Sequence, residues 1–241
     1  MNTLPLYAEI WQETLHWSPN SHQQNQFQQV YNLIIAVNQR FNLTRITEIN
    51  EFWEKHLWDA LIGVLPLFEM KSKNLQIIDM GTGAGFPGIP VAIAFPDHNI
   101  TLVDSTQKKI RFVESLINQL GLKNSKTRCD RSEFLGHNPH YREQYDMGLI
   151  RAVGKVSVCA EYTLPFLKVG GLGILYRGQW TNDDTEDLEK VVNKLGGEIE
   201  KISTFKTPLS QSERTCIYVR KIAPTKSEFP RGVGIPNQNP L

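Results

Sequence analysis

The chain of 241 residues is 40% hydrophobic and 21% charged, ordinary values for a globular protein with length enough for one full core and an extension. A formal net charge of +1 excludes a globally basic nucleic-acid binder and leaves room for local basic patches. No apolar run approaches the roughly 20 residues of a membrane span, and the start "MNTLPLYAEIWQETLHW" lacks the basic-then-apolar order of a signal peptide, so a soluble, cytoplasmic protein is expected. From Ser21, the pattern Phe27, Val30, Tyr31, Ile34, Val37, Phe41 steps by three and four and predicts an amphipathic helix, with Ser21 and Gln24 spaced as a capping box. After "NLTRITEIN", the stretch "EFWEKHLWDALIGVLPLF" places Phe52, Trp53, His56, Leu57, Ala60, Leu61 and Val64 on one side of a second helix. Residues 1–70 therefore read as a helical extension.

Beyond Lys71 the style changes to short β-rich runs: "LQIIDM", "NITLVD", "KTRCD", "YDMGLIRA", "GLGILYRG", "EIEKISTFK" and "RTCIYVRKI". Helices between the first several imply an α/β fold with a parallel, doubly wound, seven-stranded sheet over residues 71–222. Only "TPLSQSE" separates the last two runs, too little for a helical crossover, so the final strand is expected to be antiparallel. The Pro- and Gly-rich tail over 223–241, "APTKSEFPRGVGIPNQNPL", is expected as an extended arm rather than a packed element. Cys129, Cys159 and Cys216 lie far apart with no Cys or His at ligand spacing, which supports neither a disulfide framework nor a metal site; they read as buried thiols.

The chemistry begins where the first run breaks into "DMGTGAGFPG". Gly83 to Gly88 matches G-x-G-x-x-G, and Asp104 lies about 20 residues on, where a dinucleotide site would hold its ribose. Asp79, just before the glycines, argues otherwise. A carboxylate there would repel a pyrophosphate seated on the turn, whereas S-adenosylmethionine carries no phosphate and offers a sulfonium and an ammonium that the acid attracts. Gly81, Gly83 and Gly85 permit positive φ and close backbone approach, Pro87 suits the first turn of the next helix, and Asp104 could accept both ribose hydroxyls. No Gly-Lys-Ser or Gly-Lys-Thr follows, which excludes a P-loop.

Taken in order, "NLTRI", "KHLWDAL", "DMGTGAGFPGIPVAIAFP", "TLVDSTQKKIRFVE", "RSE", "IRAVG" and "FPRGVGIPNQNPL" resemble the bacterial small-subunit ribosomal RNA methyltransferase G family, also called glucose-inhibited division protein B, from about Val30 to Leu241. The resemblance implies a class I, Rossmann-like fold that moves a methyl from S-adenosylmethionine to N7 of one guanine in 16S rRNA, free or within the small ribosomal subunit. By the same resemblance Gly81 and Phe86 line the donor pocket, and Asp104, Ser105 and Thr106 close around ribose and adenine. Ser132 and Glu133 flank the adenine, and Arg151 sits between donor and substrate. This sequence departs from the pattern at Ser132, where Ala is common, at Ala60, where Ser is common, and at Arg177, where Lys is usual.

Guanine N7 has an in-plane lone pair and loses no proton on methylation, so the transfer needs alignment rather than a general base. The sequence agrees: His16, His22, His56, His98, His137 and His140 are scattered, and His56, on an apolar helix face, reads as structural. Arg151 is the residue expected to have a chemical role, through the donor carboxylate or through guanine O6 and phosphate. RNA contact is expected from Lys108, Lys109 and Arg111, from Lys123, Lys126, Arg128 and Arg131, and from Arg220, Lys221, Lys226 and Arg231, at the edge of the sheet where ligands of such folds sit. The acids of "NDDTEDLE" read as a solvated helix start. No metal and no membrane are expected, and a monomer suffices. A small-molecule methyltransferase, a nicotinamide oxidoreductase built on the literal glycine match, and a donor-binding assembly protein without catalysis are the competing readings.

Overall fold

The computed structural model describes residues 3–39, 43–70 and 72–241; Phe41, Lys71 and the Asn42 that opens "NLTRI" lie outside them. The chain begins with α1 (Ala8–Leu15) and α2 (Ser21–Asn38), then α3 (Ile49–Phe52), a π-helical turn (Trp53–Trp58), α4 (Asp59–Ile62) and α5 (Leu65–Glu69). There follow β1 (Gln76–Met80), α6 (Gly88–Ala94), β2 (Asn99–Asp104), α7 (Gln107–Leu120), β3 (Ser125–Cys129), α8 (Ser132–Leu135), β4 (Tyr145–Arg151) and α9 (Val156–Thr163). A 3-10 turn (Leu164–Phe166), β5 (Leu167–Arg177), α10 (Asn182–Lys194), β6 (Gly197–Lys206), β7 (Glu213–Lys221) and α11 (Ile235–Gln238) complete the order.

Period-two alternation sorts the apolar side chains into two layers, because successive strand residues point to opposite faces. Ile77, Ile100, Leu102, Leu149, Ile174 and Tyr218 join a core with α2, α6 and α7, whereas Ile78, Met80, Ile150, Leu175 and Ile217 join a second core with α9 and α10. The result is a seven-stranded sheet in the order β3-β2-β1-β4-β5-β7-β6, parallel except for β7, which runs antiparallel to both β5 and β6. The seven expected strands and the antiparallel last strand are thus all present. No helix among the described residues is long and apolar enough to cross a membrane.

The helical extension covers the first face. Buried Gln23 and Gln26 on α2 donate to Ile93 O and Leu120 O at 3.0 Å each, satisfying carbonyls at the C-terminal ends of α6 and α7 that would otherwise lack partners. Tyr176 on β5 donates to Ala60 O at 2.9 Å.

Four details differ from the sequence reading. The α2 cap is Asn20 rather than Ser21: its side chain accepts from Gln23 N at 3.0 Å and Gln23 Oε1 accepts from Asn20 N at 3.0 Å, a reciprocal box one residue earlier than expected. The second long helix is not continuous. Apolar spacing cannot register the wider π turn at Trp53–Trp58, which is fixed by tertiary contacts: the buried Glu54 carboxylate accepts from Leu209 N, Ser210 N and the Ser210 hydroxyl at 2.6 to 2.9 Å. The tail, expected as a loose arm, is packed. Phe229 is 2% exposed, Arg142 donates to Phe229 O at 2.8 Å, and Arg231 forms a forked ion pair with fully buried Glu161, Nη2 to Oε2 at 2.7 Å. A carboxylate buried against this face needs a cation, and the tail supplies it. Of the cysteines, Cys159 and Cys216 are buried as expected, but Cys129 is only half-buried.

Candidate functional site

The turn after β1 is built from its acid. Asp79 is fully buried, and its Oδ2 accepts from Thr82 Oγ1 at 2.6 Å and from Gly88 N at 2.8 Å, which ties the turn to the first residue of α6. A Cβ at Gly88 would stand 2.8 Å from Asp79 Oδ2, so only glycine allows this approach. Gly81 has φ +71° and would drive a Cβ into Val153, so it too is fixed by geometry. Burial pushes the Asp79 carboxyl up to about 6, against the two hydrogen bonds that favour its charge. Its Oδ1 has no hydrogen-bond partner among the described residues. Asp79 therefore lies under the turn rather than on the wall of the cleft, and its role is to shape the loop, a correction to the direct attraction the sequence suggested.

Above the turn lies a cleft of ≈ 710 Å³ including its mouth, lined by Gly81, Asp104, Ser105, Thr106, Ser132 and Glu133, six of the residues expected at the donor site. It sits outside the C-terminal ends of β1 to β4, where a doubly wound sheet leaves its crevice. Asp104 ends β2 almost completely buried. Its Oδ2 accepts from Gly83 N at 3.0 Å and its Oδ1 from Thr106 N at 2.8 Å, so one carboxylate holds two loops and each oxygen keeps a second lone pair for a ligand hydroxyl. Glu133, 4% exposed, accepts from Tyr162 OH at 2.8 Å and Gly234 N at 3.0 Å, both at Oε1. Burial first, then that hydrogen bond, pushes the Tyr162 phenol well above its usual range, so it stays a donor.

The acids suit S-adenosylmethionine. Asp104, Asp130 and Glu133 outnumber Lys109 and Arg131 on the cleft wall, so a pyrophosphate would meet an excess of negative charge, whereas a ligand with a ribose, an amine and a positive sulfur finds acceptors. The nicotinamide reading is correspondingly disfavoured.

Phe86 and Arg151, also expected at the donor, are not on this wall. Arg151, at the end of β4, lines a second and more open cleft of ≈ 920 Å³ with Lys55, His56, Asp59, Arg177 and Arg214, and the two clefts share Ala152. The π turn draws the guanidinium there: Nη1 donates to Lys55 O and to Asp59 Oδ2 at 2.8 Å each, and Asp59 Oδ1 lies 3.3 Å from Arg214. Phe86 lies beneath, stacked on His56 with ring centroids 4.2 Å apart and 5.8 Å under the Arg151 guanidinium. Since Arg151 can only donate, its 3.4 Å contact makes His56 Nδ1 an acceptor and leaves the proton on Nε2, 3.0 Å from the Thr44 hydroxyl. Burial first, then Arg151 and Lys55, hold His56 well below its usual range and neutral. His56 is buried, stacked and hydrogen-bonded, as its apolar helix face suggested. Ala152 itself has φ +58°, a strained conformation for a residue with a Cβ, at the junction of the clefts.

The basic clusters divide. Lys109 reaches the donor cleft, 3.7 Å from Asp104, and Arg131 lines it. Lys123 and Lys126 lie at the opposite edge, beside the start of β3, and Arg220 pairs in register with Leu172 near the start of β5. An antiparallel β7 necessarily carries its end to that far edge. Lys221 is fully buried, donating to Leu164 O, Leu195 O and Thr225 Oγ1, with burial pushing it down to about 8. Arg231 is held by Glu161. Lys221 and Arg231 of the expected tail cluster are therefore structural rather than part of an RNA face, Arg220 is paired with Glu200, and Lys226 is exposed. Sequence reasoning missed Tyr162 and Asn237 on the first cleft and Asp59 and Arg214 on the second; Asp59 and Asn237 fall within the family-like motifs and Arg214 opens the last strand run, but none had a spacing signal. No group of three or more His, Cys, Asp or Glu side chains that could hold a metal is present among the described residues.

A family model described as rRNA small subunit methyltransferase G matches residues 23–215. Relatives named ribosomal RNA small subunit methyltransferase G include one from Nostoc punctiforme, 57% identical over 242 residues, and one from Trichormus variabilis, 56% identical over 243; each alignment covers 100% of this chain and 99% of the relative. Among solved structures, M. jannaschii TYW2 in complex with AdoMet aligns with TM-score 0.51 at 16% identity over 64% of this chain and 72% of its own, a likeness of fold.

Proposed function

The chain belongs to the rRNA small subunit methyltransferase G family, and from that premise we infer that it transfers the methyl group of S-adenosylmethionine to N7 of a guanine in 16S rRNA. The observation that carries the reading is the meeting of an acid-lined cleft and a cation-lined cleft at Ala152. One suits a cationic nucleoside, the other a phosphate-bearing nucleotide.

S-adenosylmethionine, when bound, supplies an electrophilic methyl on its sulfonium. Asp104, with Ser105 and Thr106, would hold the ribose, and Glu133 with Ser132 the adenine edge. On the other side, Arg151 spends three of its five N–H groups on Lys55, Asp59 and His56. The remaining two are available to guanine O6 or a phosphate, a planar fork in fixed orientation. Arg177, whose Nη1 donates to Gly154 O at 2.7 Å, and Lys55 add positive charge for the RNA backbone. Because N7 gives up no proton, no residue here needs to act as a base, and the neutral, stacked His56 is consistent with that. Catalysis then consists of alignment.

The test is incubation of the protein with S-adenosylmethionine and unmethylated small subunits or extracted 16S rRNA, followed by digestion and mass spectrometry of nucleosides. A new 7-methylguanosine signal is expected. No signal on either substrate, with donor binding intact, would instead support a small-molecule acceptor.

A further inference from the structure

The last ten residues of the chain reach the donor cleft. Asn237 lies on its wall with Asp104 and Glu133, donates from Nδ2 to Tyr162 OH at 3.0 Å, and its Oδ1 stands 3.5 Å from the Cβ position of Gly154 in the loop between the two clefts. Gly234 N donates to Glu133 Oε1 at 3.0 Å, from 101 positions away. Tyr162 OH thus accepts from the tail and donates to Glu133, so three groups form one chain of hydrogen bonds. Both donors to Glu133 fall on one oxygen, which leaves Oε2 for a ligand. The anchoring is uneven. Phe229 and the Arg231–Glu161 pair are buried, whereas Gly232, Val233, Ile235 and Asn237 are exposed. Within the final turn Pro236 is buried and Leu241 packs partly on the second core, and the contacts that tie the turn to the cleft itself are the polar ones of Gly234 and Asn237.

We propose that this C-terminal turn is part of the donor site: Asn237, through Tyr162, positions the Glu133 carboxylate, and ligand in the cleft and docking of the turn stabilise each other. The proposal rests on reading the cleft as the S-adenosylmethionine site. Linkage makes the effect reciprocal, since whatever the turn adds to ligand affinity the ligand adds to docking of the turn.

Two variants of the full enzyme test it by titration with S-adenosylhomocysteine and by kinetics: Asn237→Ala, and a chain ending after Arg231, which keeps the buried ion pair. We expect KM for the donor to rise about fivefold in Asn237→Ala and about tenfold or more in the shortened chain, the loss of one and of two polar contacts. kcat at saturating donor and KM for the small subunit stay within about twofold, a split that mere loss of stability would not produce. In the wild type, amide exchange over residues 232–238 slows when S-adenosylhomocysteine is added, a readout that needs no variant. Donor affinity within twofold of wild type in both variants, or exchange of the turn unaffected by bound ligand, would overturn the proposal alone. Failure of the wild type to bind S-adenosylhomocysteine at all would remove the reading of the cleft and the proposal with it.

Discussion

The acid-lined cleft and the cation-lined cleft touch at Ala152 but are held in place differently. In the acid-lined cleft, Asp104 is fixed by backbone N–H groups of the adjoining loops, Gly83 and Thr106, so its end of the cleft is pre-formed by short loops at strand ends, and only Glu133 is reached from afar, by Tyr162 and Gly234. On the acceptor side, Arg151 is fixed from 92 to 96 positions away, by the Asp59 carboxylate, the Lys55 carbonyl and His56 of the π turn. Its counter-charge is shared with Arg214 on β7. The helical extension is thus more than a cover for the sheet: it fixes the Arg151 guanidinium, to which the proposed function gives the positioning role. The difference teaches that ligand affinity and reaction geometry are stored in separate parts of the fold and should fail separately.

The largest effect is expected from Arg151→Ala, which should lower kcat/KM for the small subunit by about 10²- to 10³-fold, the scale for removing one aligned electrostatic donor, with S-adenosylhomocysteine affinity within about threefold of wild type. A matching loss of donor affinity would merge the two clefts into one. Next, Asp104→Asn keeps the shape but cannot accept at both positions; donor affinity should fall about thirtyfold by calorimetry, with one of the two loop N–H groups left facing an amide donor.

Stability against pH separates the regions more gently. His56 is held below its ordinary value, so the unfolded chain takes up a proton that the fold refuses; its contribution is full above about pH 6.5 and is lost as pH falls below that. Asp79, raised to about 6, behaves oppositely: its contribution is full below its unfolded value near 4 and fades as pH rises through 6. Relative to wild type, His56→Gln should therefore gain melting temperature as pH drops from 7 to 5, and Asp79→Asn should gain as pH rises over the same range. Parallel curves for wild type and both variants would refute these assignments. The smallest effect concerns salt. Arg177→Ala should reduce the slope of log affinity for rRNA against log salt by about one, whereas Arg220→Ala, paired with Glu200 at the far edge, should leave it unchanged. An equal reduction from Arg220→Ala would restore the far edge as an RNA surface.

What could be read without coordinates follows the same division. The strand runs and the antiparallel last strand were legible because alternation and a short connection are local signals, and Gly81 and Asp104 because a glycine turn is; Ser105, Thr106, Ser132 and Glu133, which line the same cleft, were reached only through the family resemblance. The π turn was not, since its cause is the Glu54 contact with Leu209 and Ser210, more than 150 positions away. Lys221 and Arg231 looked like a basic patch because charge in a sequence carries no burial; in the fold they satisfy carbonyls and Glu161. The tail's Pro and Gly content signalled irregular backbone, which is correct, but irregular backbone can still be anchored by one buried aromatic and one ion pair.

The most direct test is the initial rate of methyl transfer to small subunits over donor concentrations from below the wild-type KM to about a hundred times above it, for wild type, Asp104→Asn and Arg151→Ala. If affinity and geometry are stored separately, Asp104→Asn regains most of its rate at high donor and Arg151→Ala stays slow at every concentration. Recovery of Arg151→Ala at high donor would place that guanidinium in the donor site and contradict the account.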